Sequence, residues 1–269
     1  QAVLDAAGLG EAPAATALAA PLDDLQLSGS LDELIERRVK FLTDYQDRAY
    51  AGRYVALVDT VRQAEQRKAP GSTALTAAVA KYYFKLMAYK DEYEVARLYT
   101  DGHFEKTLRQ QFEGDFGLEF YMAPPLLSRA RDGRPPRKIR IGSWLYRAMK
   151  LLAHGRVLRG TPFDVFGRTS ERQMERELVR TYMDRIRSLL PALDAKRLPL
   201  ATEIAALPLS MRGYGHVKLA NVAMARVREA ELLYRFDPAA YPRPATGPQA
   251  GQLRSIAVVS QSRTAAGNV

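Results

Sequence analysis

No cysteine occurs anywhere in the chain. Its absence removes disulfides, thiolate zinc sites, cysteine-held iron–sulfur clusters and cysteine nucleophiles from the available chemistry. Histidine is nearly as scarce. His103, His154 and His216 stand far apart, and none has a His or Cys at metal-ligand spacing, so no metal site is expected. No window reaches the roughly 20 apolar residues of a membrane helix, and the first residues lack the basic start and apolar run of a secretory signal. A reducing cytoplasm is compatible with this pattern, and a cytoplasmic location is the expectation. Phosphate-binding and nucleophile motifs are missing too: no Walker loop, no Gly-x-Gly-x-x-Gly opening a helix, no Ser-centred elbow. No catalytic residue is therefore nominated.

What the chain does have is unevenly placed positive charge. Its 269 residues carry 40 Lys/Arg against 30 Asp/Glu. Between Arg129 and Arg187 stand 16 basic and 6 acidic residues, so that segment holds the whole excess of +10. A basic surface attracts acidic partners, whether nucleic acid, a membrane or an acidic protein, although a solvated Arg-rich face reads the same way. No nucleic-acid-binding motif accompanies the charge, and Trp144, Met149 and Leu151 interleave with it as in an ordinary amphipathic helix. A basic nucleic-acid-binding module and a purely structural interaction module stay open as alternatives.

The punctuation suggests three parts. Residues 1–29 have Asp5, Glu11, Asp23 and Asp24 but no basic residue, with Ala and Pro dominating positions 12–21. They read as a linker or the tail of a preceding domain. Residues 237–269, rich in Pro, Gly, Ser and Ala, read as a flexible tail. The part between, 30–236, reads as mainly α: a multi-helix domain with one long antiparallel helix pair and a single inserted β-hairpin.

Ser30-Leu-Asp-Glu33 is a capping box, and the spacing predicts a first long helix to about Arg67, with Phe41, Tyr45, Tyr50 and Tyr54 along one side. Gly52 marks a possible close crossing or kink in it. A second helix is predicted from Thr73 to Thr100, where Leu75, Val79, Tyr82, Leu86, Tyr89, Tyr93 and Ala96 alternate by four and three. The charges of Lys90-Asp-Glu92 read as its solvated face. A shorter helix through Phe104 and Leu108 precedes two period-two segments, Leu118–Met122 and Lys138–Ile141, taken as the hairpin. Helices are predicted again at 143–158, 169–190, 199–207 and 216–236.

Three blocks carry a resemblance. Lys85-Leu-Met-Ala-Tyr-Lys-Asp-Glu-Tyr-Glu-Val-Ala-Arg-Leu-Tyr99, Arg159-Gly-Thr-Pro-Phe-Asp-Val-Phe-Gly167 and Arg212-Gly-Tyr-Gly-His-Val-Lys218 together resemble the C-terminal region of the fused indolepyruvate ferredoxin oxidoreductase, a 2-oxoacid:ferredoxin oxidoreductase. The likeness runs from about Ser30 to Phe236. It implies a fragment of a longer enzyme that oxidatively decarboxylates aryl 2-oxoacids to acyl-CoA on thiamine diphosphate and Mg, passing electrons through iron–sulfur clusters to ferredoxin. Catalytic domains lie upstream in that family. The diphosphate motif, Gly-Asp-Gly with a downstream Asn, does not occur here; Gly114-Asp115 continues into Phe116-Gly117. The resemblance thus implies no cofactor bound by this chain, with upstream domains of the same polypeptide, ferredoxin and a second copy in a homo-oligomer as partners.

Two loops are candidates for binding. Arg212, Gly213, Gly215, His216 and Lys218 precede or open the last helix, where flexible glycines and unpaired N–H groups favour an anion. A tight structural turn is the other reading. Arg159 and Asp164 belong to a loop that Phe163 and Phe166 are expected to anchor in the core, with Asp164 paired to an Arg and a docking role possible for the loop. Arg131, Arg134 and Arg137, on the hairpin connection, are candidates for docking an acidic electron carrier.

Overall fold

The computed structural model describes residues 29–114, 117, 119–122, 139–213 and 215–244. Its architecture is mainly α, with nine α-helices and two short strands among those residues. The chain divides into two compact units, one ending at Leu209 and one beginning at Ser210.

The first unit opens with α1 (Leu31–Tyr45), whose N-terminus Ser30 caps by accepting the Glu33 N–H at 3.2 Å. The single long helix expected to Arg67 does not form. It ends at Tyr45, and α2 (Arg48–Lys68) starts afresh after Asp47, whose carboxylate accepts the Tyr50 N–H at 2.7 Å. A side chain that captures a backbone N–H in this way stops one helix and starts the next. Gly52 plays no part in the break, since it is exposed with nothing within 4 Å of where a Cβ would sit. The turn at Ala69–Thr73, with Gly71 at φ 86°, leads into α3 (Ala74–Met87). Tyr50 donates to the Met87 carbonyl, Tyr54 to that of Ala80, and Glu65 accepts from the N–H groups of Leu75 and Thr76. Partner numbers fall along α3 as they rise along α2, so the two helices run antiparallel.

The second long helix also breaks. Met87 ends α3, and α4 (Glu92–Thr100) begins after Asp91, which accepts the Glu94 N–H at 2.9 Å. The carbonyls exposed by the break are not left unpaired: Tyr45 Oη donates to Tyr89 O at 2.8 Å, and Tyr50 Oη to Met87 O at 3.0 Å. After α5 (His103–Gln111), β1 (Phe120–Met122) pairs antiparallel with β2 (Ile139–Ile141), Phe120 opposite Ile141. Arg131, Arg134 and Arg137 lie outside the described residues. Next come α6 (Trp144–His154) with a 3₁₀ turn to Leu158, α7 (Ser170–Leu189) and α8 (Leu198–Ala206).

Apolar packing holds this unit together. A large set of core residues, Leu57, Val61, Leu75, Met87, Ile186, Leu189 and Ile204 among them, is at most 2 % exposed, and three buried tyrosine rings stack in a column. Tyr54 stacks on Tyr83 at 6.1 Å and Tyr83 on Tyr182 at 5.8 Å, nearly parallel. Their depth raises the Tyr54 phenol to about 12 and the Tyr182 phenol well above its usual range, both chiefly through loss of water. A smaller cluster packs Ala96, Phe120, Met149 and Ala153 with Tyr99 and Leu145 around them. The second unit holds α9 (Gly215–Phe236), followed by a turn in which Asp237 accepts the N–H groups of Ala239 and Ala240.

Candidate functional site

The densest polar arrangement lies where the broken second helix meets the loop after α6. Asp91 caps α4 and is 3 % exposed, so the charge expected on a solvated face is buried. The correction has a physical cause. Arg159 reaches it from the end of the 3₁₀ turn, donating from Nε to Oδ2 at 2.6 Å and from Nη2 to Oδ1 at 2.8 Å. A third bond runs from Arg159 Nη1 to the Tyr45 carbonyl at 2.7 Å, and the guanidinium lies 3.7 Å from the centre of the Tyr45 ring. Burial alone would lower the Arg159 pKa, but the bonds and charge of Asp91 outweigh it and raise it.

Asp164 forms a second buried node. Its carboxylate accepts from Gly160 N and Gly167 N, each at 2.8 Å, and from Tyr93 Oη at 3.3 Å. Arg176 Nη1 stands 3.8 Å from Oδ2, the ion pair expected for this residue in a loose form. A Cβ at Gly167 would collide with the Asp164 carboxylate, which explains a glycine there. Phe166 meets Tyr93 edge-on at 5.3 Å, but Phe163 is 74 % exposed and anchors nothing in the core. It is Asp164, not Phe163, that folds the loop inwards, because three donors offset the cost of burying its charge.

The other candidates fall elsewhere. Arg212, Gly213, Gly215, His216 and Lys218 belong to the second unit. Gly213 and Gly215 have φ of 106° and 53°, α9 starts at Gly215, and His216 is exposed in its first turn. Asn221 donates to the Arg212 carbonyl at 2.7 Å, which ties the turn to its own helix. Among the described residues no group of three or more His, Cys, Asp or Glu could hold a metal ion, and no helix is long and apolar enough to cross a membrane. The metal that accompanies the diphosphate therefore finds no fitting cluster of His, Cys, Asp or Glu among those residues.

The family of unknown function DUF6537 matches residues 31–231. The chain belongs to that family. The DUF6537 segment contains every member of the network around Asp91, Arg159 and Asp164. No curated protein and no solved structure matches the chain.

Proposed function

We propose that this chain is the accessory C-terminal part of a fused indolepyruvate-type ferredoxin oxidoreductase and acts by packing and docking, not by chemistry of its own. The observation that carries the reading is where large apolar side chains face water. Trp144, Leu151, Val157, Leu158, Phe163 and Val165 are all exposed, Trp144 at 64 % and Leu151 at 78 %. Isolated exposed apolar residues are ordinary, whereas a concentration of them marks a surface that another protein covers. Trp144 and Leu151, seven apart on α6, share one face of that helix. This stretch lies inside the basic segment, so an apolar contact and an attraction for acidic groups coincide in sequence.

The buried network supports the same reading. Lys85–Tyr99 and Arg159–Gly167, two of the blocks that carry the resemblance, are joined by the Asp91–Arg159 pair. Within them Asp91, Arg159 and Asp164 are engaged within the fold, as befits a scaffold. In this proposal the upstream domains of the same polypeptide hold thiamine diphosphate, Mg and the iron–sulfur clusters and cover the apolar face, while ferredoxin and a second copy are the further partners. The test is the native polypeptide. An antibody against this chain should recover from source cells a polypeptide much heavier than 30.0 kDa, with Gly-Asp-Gly and a downstream Asn ahead of this region. Recovery of a polypeptide without that upstream motif contradicts the proposal.

A further inference from the structure

Beside the Asp91–Arg159 pair, on its solvent side, lies a cleft of about 220 Å³. Gln46, Tyr50, Arg53, Tyr89, Arg159 and Arg176 contribute to its walls, and no acidic residue does. From this arrangement we infer that the cleft binds a small oxyanion, a phosphate or a short-chain carboxylate, independently of the accessory role proposed above.

The charges decide it. Arg159 is neutralised by Asp91, which takes two of its five N–H groups, while a third goes to Tyr45 O. The other two guanidiniums are not satisfied in this way. Arg53 makes no hydrogen bond or ion pair among the described residues and lies 5.3 Å from the centre of the Tyr50 ring. Arg176 donates from Nη2 to the Gly167 carbonyl at 2.6 Å, but its buried Nη1 donates no hydrogen bond and stands 3.8 Å from Asp164. Asp164 already accepts three shorter bonds from neutral donors, so it holds Arg176 only through a loose ion pair and leaves Nη1 free to donate into the cleft. Two arginines from different helices, α2 and α7, thus face one cleft without a hydrogen-bonded carboxylate. Guanidinium forks match planar or tetrahedral oxyanions closely, and bonds to a charged acceptor are the strong ones.

Tyr89 supplies a neutral donor beside them. Its side chain makes no hydrogen bond among the described residues, and burial together with the nearby Asp91 charge raises its phenol to about 12, so it keeps its proton at neutral pH. Size agrees with a small ligand. The cleft is smaller than the roughly 300 Å³ at which sites for drug-sized molecules begin, and a phosphate or a carboxylate of a few carbons fits it.

The experiment titrates inorganic phosphate and, separately, propanoate into the 269-residue chain at pH 7 and constant ionic strength, followed by calorimetry and by the shift of the melting temperature. At least one should bind saturably at one site. Phosphate alone, or propanoate alone, assigns the cleft to that chemistry. Arg53→Glu, read beside Arg53→Gln, should weaken binding about tenfold or more through loss of a charge-assisted bond. Tyr89→Phe should weaken it about fivefold, the worth of one neutral hydrogen bond. Arg67→Glu makes the same charge change at the exposed far end of α2 and should change affinity less than about twofold once salt screens the distant charge. Circular dichroism of each variant checks that its helices are intact. Three results would overturn the inference: no saturable binding of either anion, equal weakening by Arg67→Glu, or unchanged binding in both Arg53 variants.

Discussion

Replacing Asp91 by Asn tests the network most sharply. Asparagine keeps the side-chain oxygen that accepts the Glu94 N–H, so the cap of α4 survives. What disappears is the charge opposite Arg159, whose side chain is 3 % exposed. Two charge-assisted bonds, at 2.6 and 2.8 Å, are weakened or lost together. At about 1.5–3 kcal/mol for each bond to a charged group, the loss comes to about 3–6 kcal/mol. This agrees with the roughly 3–5 kcal/mol typical of stranding one member of a buried pair. Arg159→Met should cost a similar amount. The double variant, with neither charge to strand, should be about 2–3 kcal/mol more stable than the sum of the single losses predicts. Urea unfolding at pH 7 measures all three, with an unchanged denaturant slope showing that the same surface unfolds. A loss below about 1 kcal/mol for Asp91→Asn, or strict additivity, would refute the claim that the pair locks the loop to the broken helix.

Three further outcomes follow from the same geometry. Glu65, fully buried, accepts four bonds from Ser72, Leu75 and Thr76 at the start of α3. Glu65→Ala should cost about 2–4 kcal/mol by leaving buried donors unpaired and should speed hydrogen exchange at the Leu75 and Thr76 amides; unchanged exchange would contradict the capping role. Arg38 is 5 % exposed, has Nε and Nη1 without partners, and is lowered in pKa chiefly by burial. Arg38→Met should therefore be neutral or stabilising by about 1–4 kcal/mol in urea unfolding, and a large loss would show that the charge is compensated. Stability should also fall at high pH. The Tyr54 phenol is raised to about 12, while an unfolded tyrosine titrates near 10. Below pH 10 both states keep the proton; between about 10 and 12 only the folded state does, so each such tyrosine removes about 1.4 kcal/mol per pH unit. Tyr54→Phe should flatten the fall of the urea midpoint by that amount, and an unchanged slope would contradict it.

Much of the fold was legible in residue patterns. Ser30 caps a helix where its capping box places it, and helices stop near Arg67 and start near residue 169 as their patterns predict. The second long-helix expectation failed because the break keeps the helical phase. The linker from Ala88 to Asp91 is four residues, about one helical turn. The four-three spacing of Leu86, Tyr89, Tyr93 and Ala96 therefore continues across it, and periodicity alone cannot see the break. A local signal was present all the same: Asp91-Glu-Tyr-Glu94 has the spacing of a helix start. The first break is harder to read, because Asp47 has no partner acid three residues on. The site was legible only in part. Arg159 and Asp164 were nominated from their loop, and an arginine partner for Asp164 was expected, but Tyr45, Asp91 and Tyr93 lie far away in sequence and show only when the chain is folded. The meeting of Arg53 and Arg176 at one cleft was hidden for the same reason, since each looks like an ordinary helix residue in a basic chain.

Reassociation tests the proposal that this chain is a docked part of a larger oxidoreductase most directly. The catalytic domains that the proposal places upstream, produced without this region, are titrated with the 269-residue chain. A domain interface of roughly 600–1,500 Å² should give saturable binding at about micromolar Kd or tighter, and 2-oxoacid-dependent reduction of ferredoxin should recover as the chain is added. No association at about a hundred times that concentration, with those domains fully active alone, would contradict it.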